Sequence, residues 1–314
     1  MTALFDQQRQ APEKDLKGVI VLVDDQIVSE QYFNGDDADT LHDIRSATKS
    51  VTSLLAGIAI DRKLIHNVDQ RLSELLPSVN SPDKSAVRLR DLLTMRSGLA
   101  ANDDQPGLPG NEDRLDESQD WMSFALHVPM KSVTGKDYAY ASLNAFLVGA
   151  IVEKAAGMGL QEFAAGSLFS PLGITRYEWR RGPKGEGVGQ GNLKLRLQDV
   201  AKIGQLVLHH GEFGKKRIVS GGWVQASLSS LVPISNVDRY ADYYGYMWYT
   251  KTFPVGNGSV IVHFASGNGG NKIYVVPAYR MVVAITSSAY GKGYGQARSQ
   301  QILEWVLAST KTDK

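Results

Sequence analysis

The sequence contains no cysteine, which excludes disulfide scaffolds, thiolate metal sites, iron–sulfur clusters and a cysteine nucleophile. Covalent chemistry, if there is any, must use oxygen or nitrogen. An excess of either charge is also lacking. The 34 Lys and Arg against 33 Asp and Glu leave a formal net charge of +1, too little for the broad electropositive face that wraps nucleic acid or an anionic membrane. The most membrane-like apolar run, Leu54–Ile60, falls far short of the roughly 20 residues that span a bilayer, so no transmembrane segment is expected. The opening MTALFDQQRQAPEKD has no basic start, apolar middle and small-residue cleavage site, the three parts of a secretory leader. The chain as given is therefore expected in the cytoplasm, or in the periplasm if a leader has been trimmed. What remains is ordinary globular composition, 43% hydrophobic and 21% charged over 314 residues, enough for one large domain or two interleaved ones.

From Gly18 the chain reads GVIVLVDDQIVSEQYF, two β-branched runs joined at Asp24-Asp25, which predicts an antiparallel hairpin. In SATKSVTSLLAGIAIDRKL, residues Ala47, Val51, Leu54, Leu55 and Ile58 recur at helical spacing and predict one buried stripe. Between about Leu93 and Arg196 the strand signal disappears. Helical patterns there, the clearest in SLNAFLVGAIVEKAAG up to Gly157, alternate with loops such as ANDDQPGLPGNEDRLDES. Another helix, LQDVAKIGQLVLHHG, ends at Gly211. Strand patterns return in YYGYMWYT, SVIVHF, KIYVVP and MVVAITSS, and a closing helix covers about Gln296 to Ala308. Strands near both ends of the chain predict a mixed α+β fold: one antiparallel sheet of about five or more strands, flanked by helices, with a mostly helical insertion. The expected boundaries are 1–90 and 197–314 for the sheet domain and 91–196 for the insert.

The strongest chemical signal is Ser46-Ala47-Thr48-Lys49 at the mouth of the first predicted long helix. Ser and Lys three apart on a helix share a face, so the amine can reach the hydroxyl. A neutral amine could take the serine proton, which requires burial or a nearby cation or donor to weaken the lysine's preference for charge. The helix N-terminus adds free N–H groups that can stabilise an oxyanion. Ser-x-x-Lys is short enough to occur about once or twice by chance in a chain of this size. Ser81-Pro82-Asp83-Lys84 is such a match and is expected on a surface loop.

Further stretches accompany Ser46 and Lys49 in order: Leu92–Leu99 (LLTMRSGL), Tyr140-Ala141-Ser142 followed by Leu147-Val148-Gly149, Pro171-Leu172-Gly173-Ile174, and GNLKLRLQDVAKIG from Gly191. Together they resemble the serine β-lactamase and penicillin-binding-protein superfamily. The likeness is to its class C β-lactamase-like branch, which includes carboxylesterases and 6-aminohexanoate-dimer hydrolases, and it extends over about residues 17–308. The resemblance implies Ser46 as an acylated nucleophile, Lys49 as its partner base and Tyr140 as a second proton-transfer group. It also implies an oxyanion site from the backbone N–H groups of Ser46 and Asn268, and substrate contacts from Ser142, Ser266, Gly267 and Trp248.

Two departures stand out. Ser142 replaces the asparagine usual two residues after the tyrosine, an exchange also found in the 6-aminohexanoate-dimer hydrolases. The Lys-Thr-Gly or His-Thr-Gly of the edge strand is missing, and Phe264-Ala265-Ser266-Gly267-Asn268-Gly269-Gly270 stands in its place. A pocket wall of Phe264, Ala265 and Ser266 is expected to bind carboxylates poorly, which points to esters or uncharged amides rather than β-lactams. The expected activity is thus a serine hydrolase of small-molecule esters or amides that needs no cofactor and no metal. A β-lactamase or D-alanyl-D-alanine peptidase, and a non-catalytic binding protein on the same fold, are the alternatives.

Other features carry less. Gly185–Gly191 resembles a phosphate-cradling loop but has no preceding strand and no following Lys-Ser/Thr, so a flexible loop is expected. Tyr243–Tyr249 could stack bases, yet no basic groove surrounds it, and a packed strand with a pocket wall is the better reading. No nucleic-acid partner is expected. His209 and His210 point about 100° apart on a helix with no accompanying carboxylate motif, which does not suit zinc. Lys215-Lys216-Arg217 is expected as a solvated turn.

Overall fold

Asp24 and Asp25 both take left-handed backbone, with φ of 49° and 65°, as a two-residue type I′ hairpin turn demands. The flanking runs therefore fold back on each other as β1 (Leu16–Val23) and β2 (Gln26–Tyr32) in the computed structural model, which describes residues 2–78 and 82–309. The later part of the chain supplies β3 (Val232–Pro233), β4 (Tyr243–Tyr244), β5 (Tyr249–Val255), β6 (Gly258–Gly267), β7 (Asn271–Val276) and β8 (Met281–Ser287). These strands form one eight-stranded sheet in the order β2-β1-β8-β7-β6-β5-β4-β3, with antiparallel pairing throughout. One strand in from the edge, the two ends of the sequence meet in a ladder that runs from Leu16 opposite Ser287 to Val23 opposite Met281.

Every residue of β7 and β8 is buried, so both faces of the sheet are covered there. The helices Leu197–Leu208 and Tyr294–Ser309 both pack on these strands. Gly204 lies on the first of these, where an added Cβ would come within 2.5 Å of Val282. The architecture is mixed α+β, as the pattern of strands and helices implies.

The helix after Ser46, here α1 (Thr48–Asp61), is buried at every position from Thr48 to Ala59, not along one stripe. The reason is that α2 (Ser142–Ala156), itself buried from Ser142 to Val152, packs against α1 in addition to the sheet and the neighbouring helices. Enclosed hydroxyls need partners. Ser50 Oγ donates to the Met247 carbonyl at 2.5 Å and Thr52 Oγ1 to the Gly189 carbonyl at 2.6 Å.

Several local expectations are corrected. Two strands, Tyr177–Trp179 and Leu193–Leu195, lie in the stretch read as strand-free, and they join His42–Asp43 in a small three-stranded sheet. Strands this short leave no period-two signal. YYGYMWYT is two strands separated by a turn in which Met247 takes φ 59°. Pro82–Ser85 is a short helix with Lys84 buried and its Nζ donating to the Leu126 carbonyl, whereas Ser81 lies outside the described residues.

Gly185–Gly191 is not a loose loop along its length, since residues 187–191 are buried. A Cβ on Gly189 would sit 2.6 Å from the Ala145 carbonyl oxygen and 3.2 Å from Gly149 Cα, so this backbone wedges between α1 and α2. Gly189→Ala should therefore destabilise the fold by about 1–3 kcal/mol, measured by urea denaturation. Gly222→Ala is the control, with no atom within 4 Å of the added methyl, and should leave stability equal or slightly raised.

Candidate active site

The site begins with an unusual backbone. Arg45 holds φ at 50°, a left-handed conformation that L side chains with a Cβ rarely adopt. It is tied down by Asp43, whose Oδ1 accepts from the Arg45 N–H at 2.8 Å, and by the Tyr290 ring, 4.4 Å from its guanidinium. The short 3₁₀ turn Arg45–Ala47 follows and leads directly into α1. This presents Ser46 to a cavity of about 650 Å³.

One turn on, Lys49 is only 1% exposed. Its Nζ donates to Ser46 Oγ at 2.9 Å and to the Gln190 carbonyl at 2.9 Å. The Tyr140 ring centroid lies 5.1 Å from the same nitrogen. Burial pushes the Lys49 pKa down, but Tyr140, Glu112 and Asp103 outweigh it and the net shift is upward. The lysine is thus held as an ammonium, contrary to the neutral amine that the sequence argument required.

The carboxylates responsible form a cluster around Ser142. Asp103 Oδ2 accepts from the Ser142 N–H at 2.8 Å and from its hydroxyl at 2.7 Å, while Glu112 Oε1 lies 2.8 Å from the same hydroxyl. One hydroxyl has one proton, so it can donate to only one of the two carboxylates at a time. Both contacts are satisfied when one carboxyl carries a proton. Burial raises the Asp103 pKa to about 6, with the Glu112 charge adding to the rise and Lys49 opposing it.

The end of β6 closes on the Ser46 turn. A Cβ on Gly267 would come within 2.1 Å of the Ile44 carbonyl oxygen, so only glycine lets the end of β6 lie against that turn. Ser46, Gly267 and Asn268 consequently border one cavity. Among the described residues, the N–H groups of Ser46 and Asn268 donate to no other protein group.

Ser46, Tyr140, Ser266, Gly267 and Asn268 thus share the cavity wall, with Lys49 buried behind Ser46. Two expected substrate contacts do not. Ser142 is fully buried beneath Asp103 and Glu112, and Trp248 is 1% exposed and faces the core. Tyr249 borders the cavity instead, because neighbours entering a strand point to opposite sides. Phe264 and Ala265 are buried and do not line the cavity, so the apolar wall expected to repel anions is absent. Lys272 of β7 occupies the wall with Ser266.

Sequence reasoning missed Asp103, Glu112, the Gln190 carbonyl, Lys272 and Gln296. The available signal was Ser142 itself: a shorter side chain at a position that needs a polar partner calls for other groups to fill the gap. Among the described residues no group of His, Asp or Glu could hold a metal ion. His209 pairs with Asp25 at 2.7 Å.

The sheet with its helical covers and the Ser-Lys turn facing a cavity are those of a known class. The beta-lactamase family model matches residues 3–306, and the chain belongs to that family of hydrolases. Over 240 residues the chain is 24% identical to the 6-aminohexanoate-dimer hydrolase of Paenarthrobacter ureafaciens, covering 73% of this chain and 61% of that protein. The match therefore spans about three fifths of that curated relative's length. Among solved structures, a penicillin-binding protein from Bacillus halodurans superposes with a TM-score of 0.75 at 17% identity, covering 97% of this chain and 99% of that one. A penicillin-binding protein homologue from Caulobacter crescentus gives 0.76 at 15% identity, with 98% and 96% covered. At these identities the structural likeness is one of fold.

The Asp103 shift has a consequence for stability. A carboxyl whose pKa rises on folding favours the folded state below its unfolded value near 3.8, and that contribution is lost as pH climbs through about 6. Asp103→Asn should remove a loss on the order of 3 kcal/mol between pH 4 and pH 7, seen as a flatter dependence of urea-unfolding free energy on pH. An unchanged slope would show that Asp103 titrates normally.

Proposed function

We propose that the protein is a serine hydrolase that cleaves esters or amides through an acyl-enzyme on Ser46. The observation that carries this reading is the 2.9 Å contact between Lys49 Nζ and Ser46 Oγ at the cavity wall, with Tyr140 in the same wall and its ring 5.1 Å from the lysine nitrogen. In the proposed reaction Ser46 Oγ bonds to the substrate carbonyl carbon and its proton passes into the Lys49–Tyr140 pair. The N–H groups of Ser46 and Asn268 receive the developing oxyanion. Collapse breaks the bond to the leaving alkoxide or amine, which takes the proton. Water then attacks the acyl carbon and gives a proton to the same pair, and as the bond to Ser46 Oγ breaks the pair returns that proton to the serine and the carboxylic acid leaves.

Lys49 cannot accept a proton while it is an ammonium, so the pair must first lose one proton to solvent, which leaves as the base a neutral amine beside the phenol or a phenolate beside the ammonium. Asp103 and Glu112 set the pH at which this happens. Each negative charge near the pair favours its protonated form, so the carboxylate cluster delays the active state to higher pH.

Two outcomes test this. Ser46→Ala should lower turnover of 4-nitrophenyl butyrate by about 10³-fold or more, and equal turnover by both proteins would overturn the assignment of Ser46. Glu112→Gln should move the ascending limb of the kcat/KM profile to lower pH, because it removes a negative charge from beside Lys49. A limb that stays in place or moves upward would mean that the cluster does not control the base.

A further inference from the structure

Lys272 is the one buried lysine in the cavity wall that the proposed reaction does not use. Its residue is 2% exposed. Its amine lies over Phe264, with the nitrogen 4.6 Å from that ring centroid and 5.9 Å from that of Tyr274. It makes no salt bridge with any described residue, and its single hydrogen bond is to Ser266 Oγ at 2.8 Å. The contact follows from sheet register: Ser266 on β6 stands directly opposite Lys272 on β7, so the two side chains emerge on one face as cross-strand neighbours.

An ammonium buried without a carboxylate in contact is costly, and burial pushes the Lys272 pKa down to about 7, the charge of Asp238 elsewhere in the cavity wall offsetting it only in part. A ligand anion at this wall would supply the missing charge. Ser266 is arranged to meet it. Its oxygen accepts from Lys272, so its own proton is free to point elsewhere. Gln296 Oε1, at 3.5 Å, is a weak acceptor for that proton, and the Gln296 amide is held by the Gly267 carbonyl at 2.8 Å. A hydroxyl that accepts from an ammonium becomes a stronger donor through polarisation along the chain.

Charge divides the cavity. Asp103, Asp104, Glu112 and Asp113 border it from the segment before α2, whereas Lys272, Ser266 and Gln296 border it elsewhere, together with Asp238 and Arg239. An anionic group is therefore repelled from the first wall, while the rest of the lining offers two cations, Lys272 and Arg239, against the single carboxylate of Asp238.

We propose that Lys272, acting with Ser266, forms a subsite for a carboxylate carried by the substrate, so that the preferred ester or amide bears a negative charge away from the bond that is cut. The cation that the edge strand lacks at Ala265 is supplied from the adjacent strand. The inference rests on the serine-hydrolase reading for its substrate role, although the anion site itself does not require turnover.

The test uses two esters of equal length, 4-nitrophenyl pentanoate and mono-4-nitrophenyl glutarate, which differ in a terminal methyl or carboxylate. The wild-type protein should favour the glutarate ester in kcat/KM. Lys272→Gln should reduce that preference by about tenfold or more, with the loss carried by KM of the charged ester. Ser266→Ala, which keeps the lysine, should reduce it in the same direction. A lesion that is merely structural lowers both esters alike and leaves the ratio unchanged, and an unchanged ratio in a folded Lys272→Gln protein overturns the proposal. So does a wild-type protein with no preference for the charged ester. If neither ester turns over, the hydrolase reading fails, and calorimetric titration with glutarate decides the anion site alone. Binding by wild type that Lys272→Gln loses supports the site, and no binding by wild type overturns it.

Discussion

The buried ammonium of Lys49 is the interaction around which the rest of the molecule is arranged. An enclosed charge must be solvated by the protein, and here that duty is divided among the Ser46 hydroxyl, the Gln190 carbonyl and the negative field of Asp103 and Glu112. Each partner comes from a different part of the chain. The helix that carries Lys49, the backbone wedge at Gly189-Gln190 and the segment before α2 are therefore fixed relative to one another by one nitrogen. This explains why α1 is enclosed on all sides, and why residues 187–191 pack tightly where a loose loop was expected.

Two buried lysines near one another in the fold meet opposite fates. Lys49, behind Ser46, has its pKa driven up by Tyr140, Glu112 and Asp103 in spite of burial, whereas Lys272, in the cavity wall, sits among aromatic rings and a hydroxyl, and burial drives it down. The contrast comes from neighbours, because both lysines are almost completely buried.

Much of this was legible in the sequence, for reasons that can be named. The hairpin at Asp24-Asp25 and the strands β5 to β8 follow from β-branched patterning and turn chemistry, which act locally. Ser46 and Lys49 were visible because their spacing is itself a local geometric fact. The carboxylate cluster was not, since Asp103 and Glu112 meet Ser142 only across 39 and 30 residues in a segment that reads as polar loop. Lys272 escaped for a related reason. A motif search follows one strand, and register brings the cation from the next. The short strands Tyr177–Trp179 and Leu193–Leu195 exist through pairing and carry too few residues to announce themselves.

The pairing of β1 with β8 places residues near 20 against residues near 285. During vectorial synthesis the β1–β2 hairpin emerges long before β8, with the edge that β8 will occupy still open, and it must wait for all the intervening residues before that edge closes. Such long-range closure makes folding slow, and an unpaired apolar edge is a template for other strands. The exposed Ile27 and Val28 on the outer strand extend the same surface. The architecture that pairs an early strand with a late one therefore sets a kinetic hazard, greatest before β8 is made and abolished when it docks.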